Sequence, residues 1–129
     1  TEDVVASYGG GAATLRGRHE VMDYLRAALA DEGILTSHRV HHPEIELIGI
    51  DRATAVWAMD DVVVHQPAGV LISGAGFYTD ELRCCADGRW RLSATGYRRT
   101  FEQLVPTASL PGWSLTASWW GTGGRSSLG

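Results

Sequence analysis

The sequence predicts an α+β domain in which a curved antiparallel sheet wraps around a helix. Two patterns predict it: one segment in which apolar residues recur every four positions, and four later segments in which they alternate with a period of two. The chain has 129 residues and a mass of 13.9 kDa, which suits one domain with one core. A helix followed by strands with turn signals between them indicates an antiparallel meander that curls over the helix.

The helix is predicted over residues 17–32. A short apolar element at residues 1–8 and a glycine-rich turn precede it, and Gly33 is a stop signal. Apolar residues four positions apart give the helix one face that packs on a sheet: Val21, Leu25 and Leu29.

Four strands follow, rich in Val, Ile, Thr, Trp and Tyr and separated by turn signals: residues 36–48, 53–65, 70–85 and 90–100. Glycines inside them indicate the sharp bends of a strongly curled sheet: Gly74, Gly76 and Gly96. A three-residue turn with Gly88 in the left-handed region keeps the apolar residues of the last two strands on one face. That register places Tyr78 opposite Arg98 and Asp80 opposite Gly96.

From Pro106 onward the sequence is rich in Gly, Ser and Pro. This segment also contains three of the five tryptophans: Trp113, Trp119 and Trp120. Side chains this apolar are unfavourable in water. They either pack on the domain surface or a dimer interface, or they cover a pocket, and the sequence leaves both open.

Composition and charge disfavour two classes of partner. The net charge is −4, and the 11 basic residues, all arginine, are scattered, whereas a nucleic-acid surface needs clustered cations. No apolar run approaches the ~20 residues of a membrane-spanning helix, and no signal-peptide pattern opens the chain. We therefore expect neither nucleic acid nor a membrane as a partner.

The two cysteines, Cys84 and Cys85, are adjacent in the sequence. A disulfide between neighbours on a strand would be strained, so we expect free thiols and a cytoplasmic location. No second Cys or His pair at ligand spacing accompanies them, so they do not indicate a zinc site.

Three histidines in the segment SHRVHHPEI provide the first candidate for catalysis. Pro43 cannot donate a ladder hydrogen bond and therefore predicts a bulge, which places His38 on the same face as Ile45 and Leu47, inside the curled sheet. A buried imidazole stays neutral near pH 7 and acts as a base when a carboxylate fixes its tautomer. The alternatives are a structural core histidine or, without the bulge, a weak metal site formed by His38, His42 and Glu44.

A partner for that histidine occurs in the segment ATAVWAMDDVVV. Asp61 shares a strand face with Trp57 and Met59, while Asp60 lies on the other face. Burial among apolar neighbours raises the pKa of a carboxyl group unless a cation or an imidazole compensates. A pair between His38 and Asp61 on neighbouring strands would satisfy both groups. The alternative is that the two aspartates are the polar end of a strand that runs into solvent.

Tyr78 and Asp80, in the segment GAGFYTDEL, share the face of Leu82. A tyrosine hydroxyl at a cavity wall can donate to a substrate carbonyl or to a leaving oxygen. The alternative is a purely structural cluster of Tyr78, Asp80 and Arg98. Acyl transfer through a serine nucleophile is not indicated, because no serine stands in a Gly-x-Ser-x-Gly context.

Six segments occur in an order and at a spacing typical of one family: TEDVV, TLRGRHEVMDYL, HRVHHPEIEL, TAVWAMDD, GAGFYTDEL and DGRWRLSATGYRRTFE. They resemble the SnoaL-like branch of the nuclear transport factor 2-like superfamily, in particular its bile acid 7α-dehydratase-like and scytalone dehydratase-like proteins. The resemblance covers residues 1–104 and implies a cone-shaped α+β barrel, with residues 105–129 as a C-terminal extension.

The resemblance also implies an apolar pocket at one end of the cone. Enzymes of the family dehydrate, isomerise or cyclise hydrophobic polycyclic substrates there without a metal or an organic cofactor. His38 matches the general base of the dehydratase-like relatives, Asp61 matches the acid, and Tyr78 matches an aromatic pocket position. The substrate-binding residues expected beside them are His41, the second histidine of the motif, Trp57 and Met59.

Relatives carry a helix before the TEDVV segment that closes the cone and supplies a Tyr and an Asp to the site. This sequence starts after that helix, so we expect the segment to be omitted, another chain to fill the gap, or the site to be incomplete. An open cone exposes apolar surface, and the family suggests a homodimer.

Two functions follow from the resemblance. The first is a cofactor-independent dehydratase or isomerase that acts on a hydrophobic steroid- or polyketide-like substrate with His38 as base. The second is a non-catalytic ligand-binding or dimerisation module of the same fold.

Overall fold

The computed structural model describes residues 1–126 and contains a curved, unclosed six-stranded sheet with few helices. The strands in chain order are β1 (Val5–Tyr8), β2 (Ala13–Arg16), β3 (Ile34–Leu47), β4 (Arg52–His65), β5 (Val70–Cys84) and β6 (Trp90–Pro106). The helices are α1 (Arg18–Leu29) and the one-turn α2 (Trp119–Thr122), with short 3₁₀ turns at Gly9–Gly11 and Thr107–Ser109. The predicted α+β class is confirmed. The last three residues of the predicted C-terminal extension, 127–129, lie outside the described part of the chain.

The sheet has the order β2-β1-β6-β5-β4-β3. Strands β3 to β6 form the predicted antiparallel meander. Strand β1 adds to β6 in parallel and pairs with β2 in an antiparallel hairpin, so the sheet is mixed. The sequence pattern did not predict β2, because four residues after a glycine turn are too few to show a period of two.

A bulge interrupts β3 where Pro43 predicted it. The register with β4 shifts between His41 and Glu44, and His42 adopts a positive φ of 48°. As a result His38 lies opposite Asp61, and Ile45 lies opposite Ala55, all on one face. The predicted change of phase is therefore confirmed.

The β5–β6 hairpin confirms the turn but corrects the register. Gly88 has a φ of 74°, and a three-residue turn closes between Cys85 and Arg89, whose backbone groups are hydrogen-bonded at 2.9 Å. Two register shifts in the hairpin were not predicted, one between Glu81 and Leu82 and one between Ala75 and Gly76.

The position of the turn and the shift at Leu82 together change the neighbours of two candidate site residues. Tyr78 lies opposite Tyr97, not Arg98, and Asp80 lies opposite Thr95, not Gly96. The predicted ladder placed Ala86 opposite Trp90, whereas the turn closes one residue earlier, between Cys85 and Arg89. The earlier closure moves each partner on β6 by two residues, and the bulge at Leu82, which no Gly or Pro marks, reverses one of the two.

The sheet has two faces of different character. The inner face, toward α1, carries most of the small buried core: Val4, Ala6, Ala53, Ala55 and Met59. The outer face leaves apolar side chains in solvent, among them Val56, Val62, Phe77 and Phe101. Helix α1 has no fully buried residue, although its apolar stripe forms as predicted. Over the described residues the sheet is curved but unclosed.

The C-terminal tryptophans are partly to largely exposed, Trp119 most of all at 69%. Cys84 and Cys85 are both free, as predicted. Within residues 1–126, no helix combines the length and apolar character needed to cross a bilayer.

Candidate active site

His38, Asp61 and Tyr78 meet on the inner face of the sheet, from three adjacent strands. His38 Nδ1 lies 3.5 Å from Asp61 Oδ2, and the Tyr78 hydroxyl lies 3.0 Å from His38 Nε2. A carboxylate only accepts hydrogen bonds, so Asp61 favours the tautomer with the proton on Nδ1. Nε2 is then left with a lone pair, to which the Tyr78 hydroxyl donates.

His38 is less buried than the sequence suggested. Its side chain is 38% exposed, because β3 is the edge strand and no further strand covers it, whereas Asp61 is 5% exposed. The imidazole therefore stands at the mouth of the site and the carboxylate at its base. This placement puts the imidazole ring at the wall of the cavity described below.

The buried carboxylate has a cationic partner that sequence reasoning missed. Arg99 on β6 binds Asp61 in a bidentate manner, with Nη1–Oδ1 and Nη2–Oδ2 both at 2.8 Å. The Arg99 guanidinium lowers the pKa of Asp61, and it outweighs the opposing effect of burial. Asp61 is therefore ionised near neutral pH and can act as a constant acceptor toward His38.

Arg99 reaches Asp61 across the intervening strand β5. The residue of β5 opposite Asp61 is Gly74, and a Cβ there would lie 2.5 Å from Arg99 Nη1. The glycine thus leaves the space through which the arginine side chain passes. The available sequence signal was a glycine on the strand next to a buried acid. It indicates that a side chain crosses the strand only when the registers of β5 with both β4 and β6 are known.

Tyr78 is held in its neutral form by its surroundings. Burial raises the pKa of its hydroxyl to about 12. The group is therefore a proton donor across the physiological pH range. Asp80 lies on the same face of β5 and accepts a 2.7 Å hydrogen bond from the Thr95 hydroxyl. Burial raises the pKa of this carboxyl group as well.

A cavity of about 310 Å³ opens at these residues. Its polar wall consists of Thr36, His38, Asp61, Tyr78 and Arg99. Its apolar wall comes mainly from α1 and the sheet: Tyr8, Tyr24, Leu25, Ala28, Leu29, Val63 and Tyr97. A few convergent polar groups in a mostly apolar concavity are typical of a small-molecule site.

None of the three predicted substrate-binding residues lines this cavity. His41 lies on the outer face, where its Nε2 is 3.2 Å from Asp60 and its Nδ1 is 2.7 Å from His42. Met59 is packed in the core at 1% exposure. Trp57 is on the inner face opposite Tyr78 in register, but it does not line the cavity.

The described residues offer no cluster of three or more His, Cys, Asp or Glu side chains that could hold a metal ion. In particular, the bulge at Pro43 separates His38 from His42, so the metal arrangement considered for an unbroken strand does not form.

Comparison with known proteins agrees with this architecture. The family model described as a SnoaL-like domain matches residues 1–95. A hexachlorocyclohexane dehydrochlorinase, LinA-type3, from Novosphingobium barchaimii LL02 superposes with a TM-score of 0.73 at 17% identity, covering 92% of this chain and 76% of that one.

Two further solved structures have the same fold. A proposed scytalone dehydratase from Novosphingobium aromaticivorans DSM 12444 gives a TM-score of 0.71 at 19% identity, covering 80% of this chain and 67% of its own. A ketosteroid isomerase-like protein from Erwinia carotovora atroseptica SCRI1043 gives 0.63 at 18% identity, covering 78% and 75%.

These proteins share the nuclear transport factor 2-like fold. Within that superfamily, this chain belongs to the SnoaL-like domain family.

Proposed function

We propose that this protein is a cofactor-independent lyase or isomerase that removes a proton from a hydrophobic carbonyl substrate, with His38 as the general base. The observation that carries the proposal is the position of the imidazole. Asp61 faces one ring nitrogen, the Tyr78 hydroxyl faces the other, and both lie at the wall of an apolar cavity. General-base catalysis requires such a fixed, unprotonated nitrogen within reach of a bound substrate.

Dehydration is the version of this chemistry that we favour. A substrate oxygen takes the hydrogen bond of the Tyr78 hydroxyl, which frees the lone pair on His38 Nε2. Nε2 removes the proton from the carbon next to the carbonyl, the electrons of that C–H bond form the double bond, and the C–O bond to the leaving hydroxyl breaks. Tyr78 gives its proton to the departing oxygen, which leaves as water.

The proton balance is restored inside the site. The imidazolium formed on His38 lies 3.0 Å from the Tyr78 oxygen and returns the proton to it. Asp61 stays ionised throughout, because Arg99 holds its pKa low, and it stabilises the transient imidazolium. An isomerase would use the same base and return the proton to another carbon.

The names of two structural neighbours support an elimination. A dehydrochlorinase and a dehydratase both remove a proton and a leaving group from adjacent carbons, and the third neighbour is described as isomerase-like. These reactions share the step that we assign to His38. Because the sequence identities are below 20%, these reactions serve only as support for the proposal.

The test is turnover of a panel of cyclic β-hydroxyketones with one to four rings, followed as loss of water by mass spectrometry. We expect His38→Gln to lower kcat/KM about 10²- to 10⁴-fold. His19→Gln, an exposed histidine of α1, serves as the matched control and should retain wild-type activity.

Wild-type kcat/KM in the His38→Gln variant would exclude the assigned base. Saturable ligand binding without chemical change, across the panel and unaffected by His38→Gln, would instead identify a non-catalytic binding module.

Two further proposals concern the state of the protein. The adjacent free thiols support a cytoplasmic location, where a reducing environment keeps such groups unpaired. The exposed apolar side chains of the outer face support a homodimer, because such a surface is stabilised when a second copy covers it.

A further inference from the structure

Four positions form one row across the inner face of the sheet, one on each long strand. Strand pairing places them opposite one another in the order His38 (β3), Asp61 (β4), Gly74 (β5) and Glu102 (β6). The row begins at the imidazole and ends at an exposed carboxylate that the proposed function does not use.

A bulge in β6 brings Glu102 to this face. Residues three positions apart on a regular strand point to opposite faces, so Arg99 and Glu102 would otherwise be separated. The register of β6 with β5 shifts at Thr100, which is the extra residue of the bulge, and the Thr100 hydroxyl donates a 3.0 Å hydrogen bond to the Ala75 carbonyl. Arg99 and Glu102 therefore share the inner face and form an ion pair, with Nε 2.7 Å from Oε2.

Each of the three guanidinium nitrogens of Arg99 contacts a carboxylate. Nη1 and Nη2 bind Asp61, and Nε binds Glu102. The guanidinium also lies over the Tyr97 ring, with Cζ 5.4 Å from the ring centroid. A free arginine side chain has many rotamers, so contacts on all three nitrogens fix its orientation toward Asp61.

We propose that Glu102 is a positioning residue for the general base, which acts on His38 through Arg99 and Asp61. The inference deepens the proposed function and rests on it for the role of His38. It contains two effects. Glu102 anchors Nε of Arg99, and its carboxylate leaves the group of Asp61, Arg99 and Glu102 with one net negative charge.

The net charge matters because the proposed reaction forms an imidazolium on His38. The ion pair of Asp61 and Arg99 alone is neutral, so its two charges partly cancel at the imidazole. A second carboxylate restores a net negative charge and favours the protonated ring. Arg99 stays charged throughout, because its hydrogen bonds to Asp61 raise the pKa of Arg99 and the Glu102 charge adds to that effect.

The experiment follows the His38 ring by NMR as the pH is changed, with no substrate present. The ring signal is identified by its absence in His38→Gln. All variants at position 102 keep the other titratable groups that line the cavity: Tyr8, Tyr24, Asp61, Tyr78, Tyr97 and Arg99.

Glu102→Gln isolates the charge. Its amide oxygen can still accept the hydrogen bond from Arg99 Nε, but the negative charge is lost. Because the imidazolium then faces a neutral ion pair, we expect the midpoint of the His38 titration to fall by roughly 0.3–0.6 pH units relative to the wild type, the size of one screened charge.

Two controls separate this charge from a general structural role. Glu102→Asp keeps the carboxylate, so its His38 midpoint should stay within about 0.2 pH units of the wild type. Glu46→Gln removes the same charge from an exposed position near the end of β3 and should leave the midpoint unchanged.

The anchoring effect has a separate readout in the Nε–H proton of Arg99. Glu102→Ala removes both the charge and the hydrogen-bond acceptor. We expect this proton to exchange with water at least about 10-fold faster in Glu102→Ala than in the wild type or in Glu102→Gln, measured by NMR of the arginine Nε–H signals.

Turnover connects these measurements with the reaction. On any hydroxyketone of the panel that the wild type converts, Glu102→Gln should lower kcat about 2- to 4-fold, which is the titration shift expressed as a rate. KM should stay nearly unchanged, because the imidazolium forms only as the proton is transferred.

An unchanged His38 midpoint in Glu102→Gln, an equal fall in Glu102→Asp or Glu46→Gln, or unchanged Nε–H exchange in Glu102→Ala would overturn this inference. A lower midpoint in Glu102→Gln with no turnover of any hydroxyketone by the wild type would contradict the proposed elimination and support the coupling of Glu102 to His38. Wild-type turnover with an unaltered kcat in Glu102→Gln would contradict the role of Glu102 alone.

Discussion

At the scale of single residues, the site depends on how the negative charge of a buried carboxylate is compensated. Asp61 is almost fully buried, and Arg99 provides the charge that allows it to remain ionised there. Removing one partner of a buried ion pair is costly, because the other charge is left without compensation. The same pair then fixes the acceptor that orients His38.

We expect Arg99→Met to lower the free energy of unfolding at pH 7 by about 2–4 kcal/mol. In the wild type the pKa of Asp61 is depressed, so its contribution is present above the unfolded pKa of about 3.9 and is lost as pH falls through the folded pKa. In the variant the buried Asp61 carboxylate lacks its cation, and protonation removes the free-energy cost of that unpaired charge. The difference between the two proteins should therefore shrink as the pH falls from 7 toward 3.5.

Urea unfolding at pH 7, 5 and 3.5 measures this difference. Arg98→Met, which changes the neighbouring exposed arginine, is the control and should alter the free energy of unfolding by less than about 0.5 kcal/mol. A pH-independent difference for Arg99→Met would show that the pair contributes through packing and not through charge.

The sequence predicted part of this residue-level picture. The pairing of His38 with Asp61 follows from strand alternation and from a bulge that Pro43 marks, so local patterns were sufficient. Arg99 could not be assigned in the same way, because it lies two strands from Asp61. Its position depends on the residue pair that closes the β5–β6 turn and on the bulge at Leu82, which no Gly or Pro marks. The grouping of the four tyrosines at the cavity was missed for a similar reason, since they come from four separate elements.

At the scale of secondary structure, β5 shapes the site because one of its inner-face positions has no side chain. Its glycine at position 74 leaves the inner face open between Asp61 on β4 and Arg99 on β6. The sequence indicated a bend at this glycine. The structure adds that the missing side chain is also the passage for an arginine.

We expect Gly74→Ala to destabilise the fold by about 1–3 kcal/mol, the usual cost of overpacking. The added Cβ would lie 2.5 Å from Arg99 Nη1 and 2.7 Å from the Phe101 carbonyl oxygen, and the latter is backbone that cannot move aside. Thermal unfolding measures the loss, with the exposed Thr79→Ala on the same strand as control. An unchanged melting temperature would mean that the strands separate freely at this point.

At the scale of the whole molecule, apolar surface remains on both faces of an open sheet. The helix and the four long strands were predicted well, because each has a periodic pattern longer than ten residues. The pairing of β1 with β6 was not predicted, since parallel addition of a four-residue strand has no local signature.

We expect the proposed homodimer to form through the outer face. Phe77→Asp and Phe101→Asp each place a charge among exposed apolar neighbours, so each should shift sedimentation velocity profiles toward the monomer. Ile50→Asp is the control, because Ile50 is 95% exposed in the β3–β4 turn, away from the strands of that face. A wild-type monomer at all concentrations, or an unchanged mass in both phenylalanine variants, would contradict this assembly.

The parallel contact between β1 and β6 also has a consequence for how the molecule is made. Val5 lies opposite Ala94, so β1 cannot pair with β6 until nearly ninety more residues have been synthesised. Contacts this distant in sequence slow folding, because a long loop must close before they form. Docking of the β1–β2 hairpin on β6 therefore follows the synthesis of β6, and only that docking brings Tyr8 next to Tyr97 at the cavity.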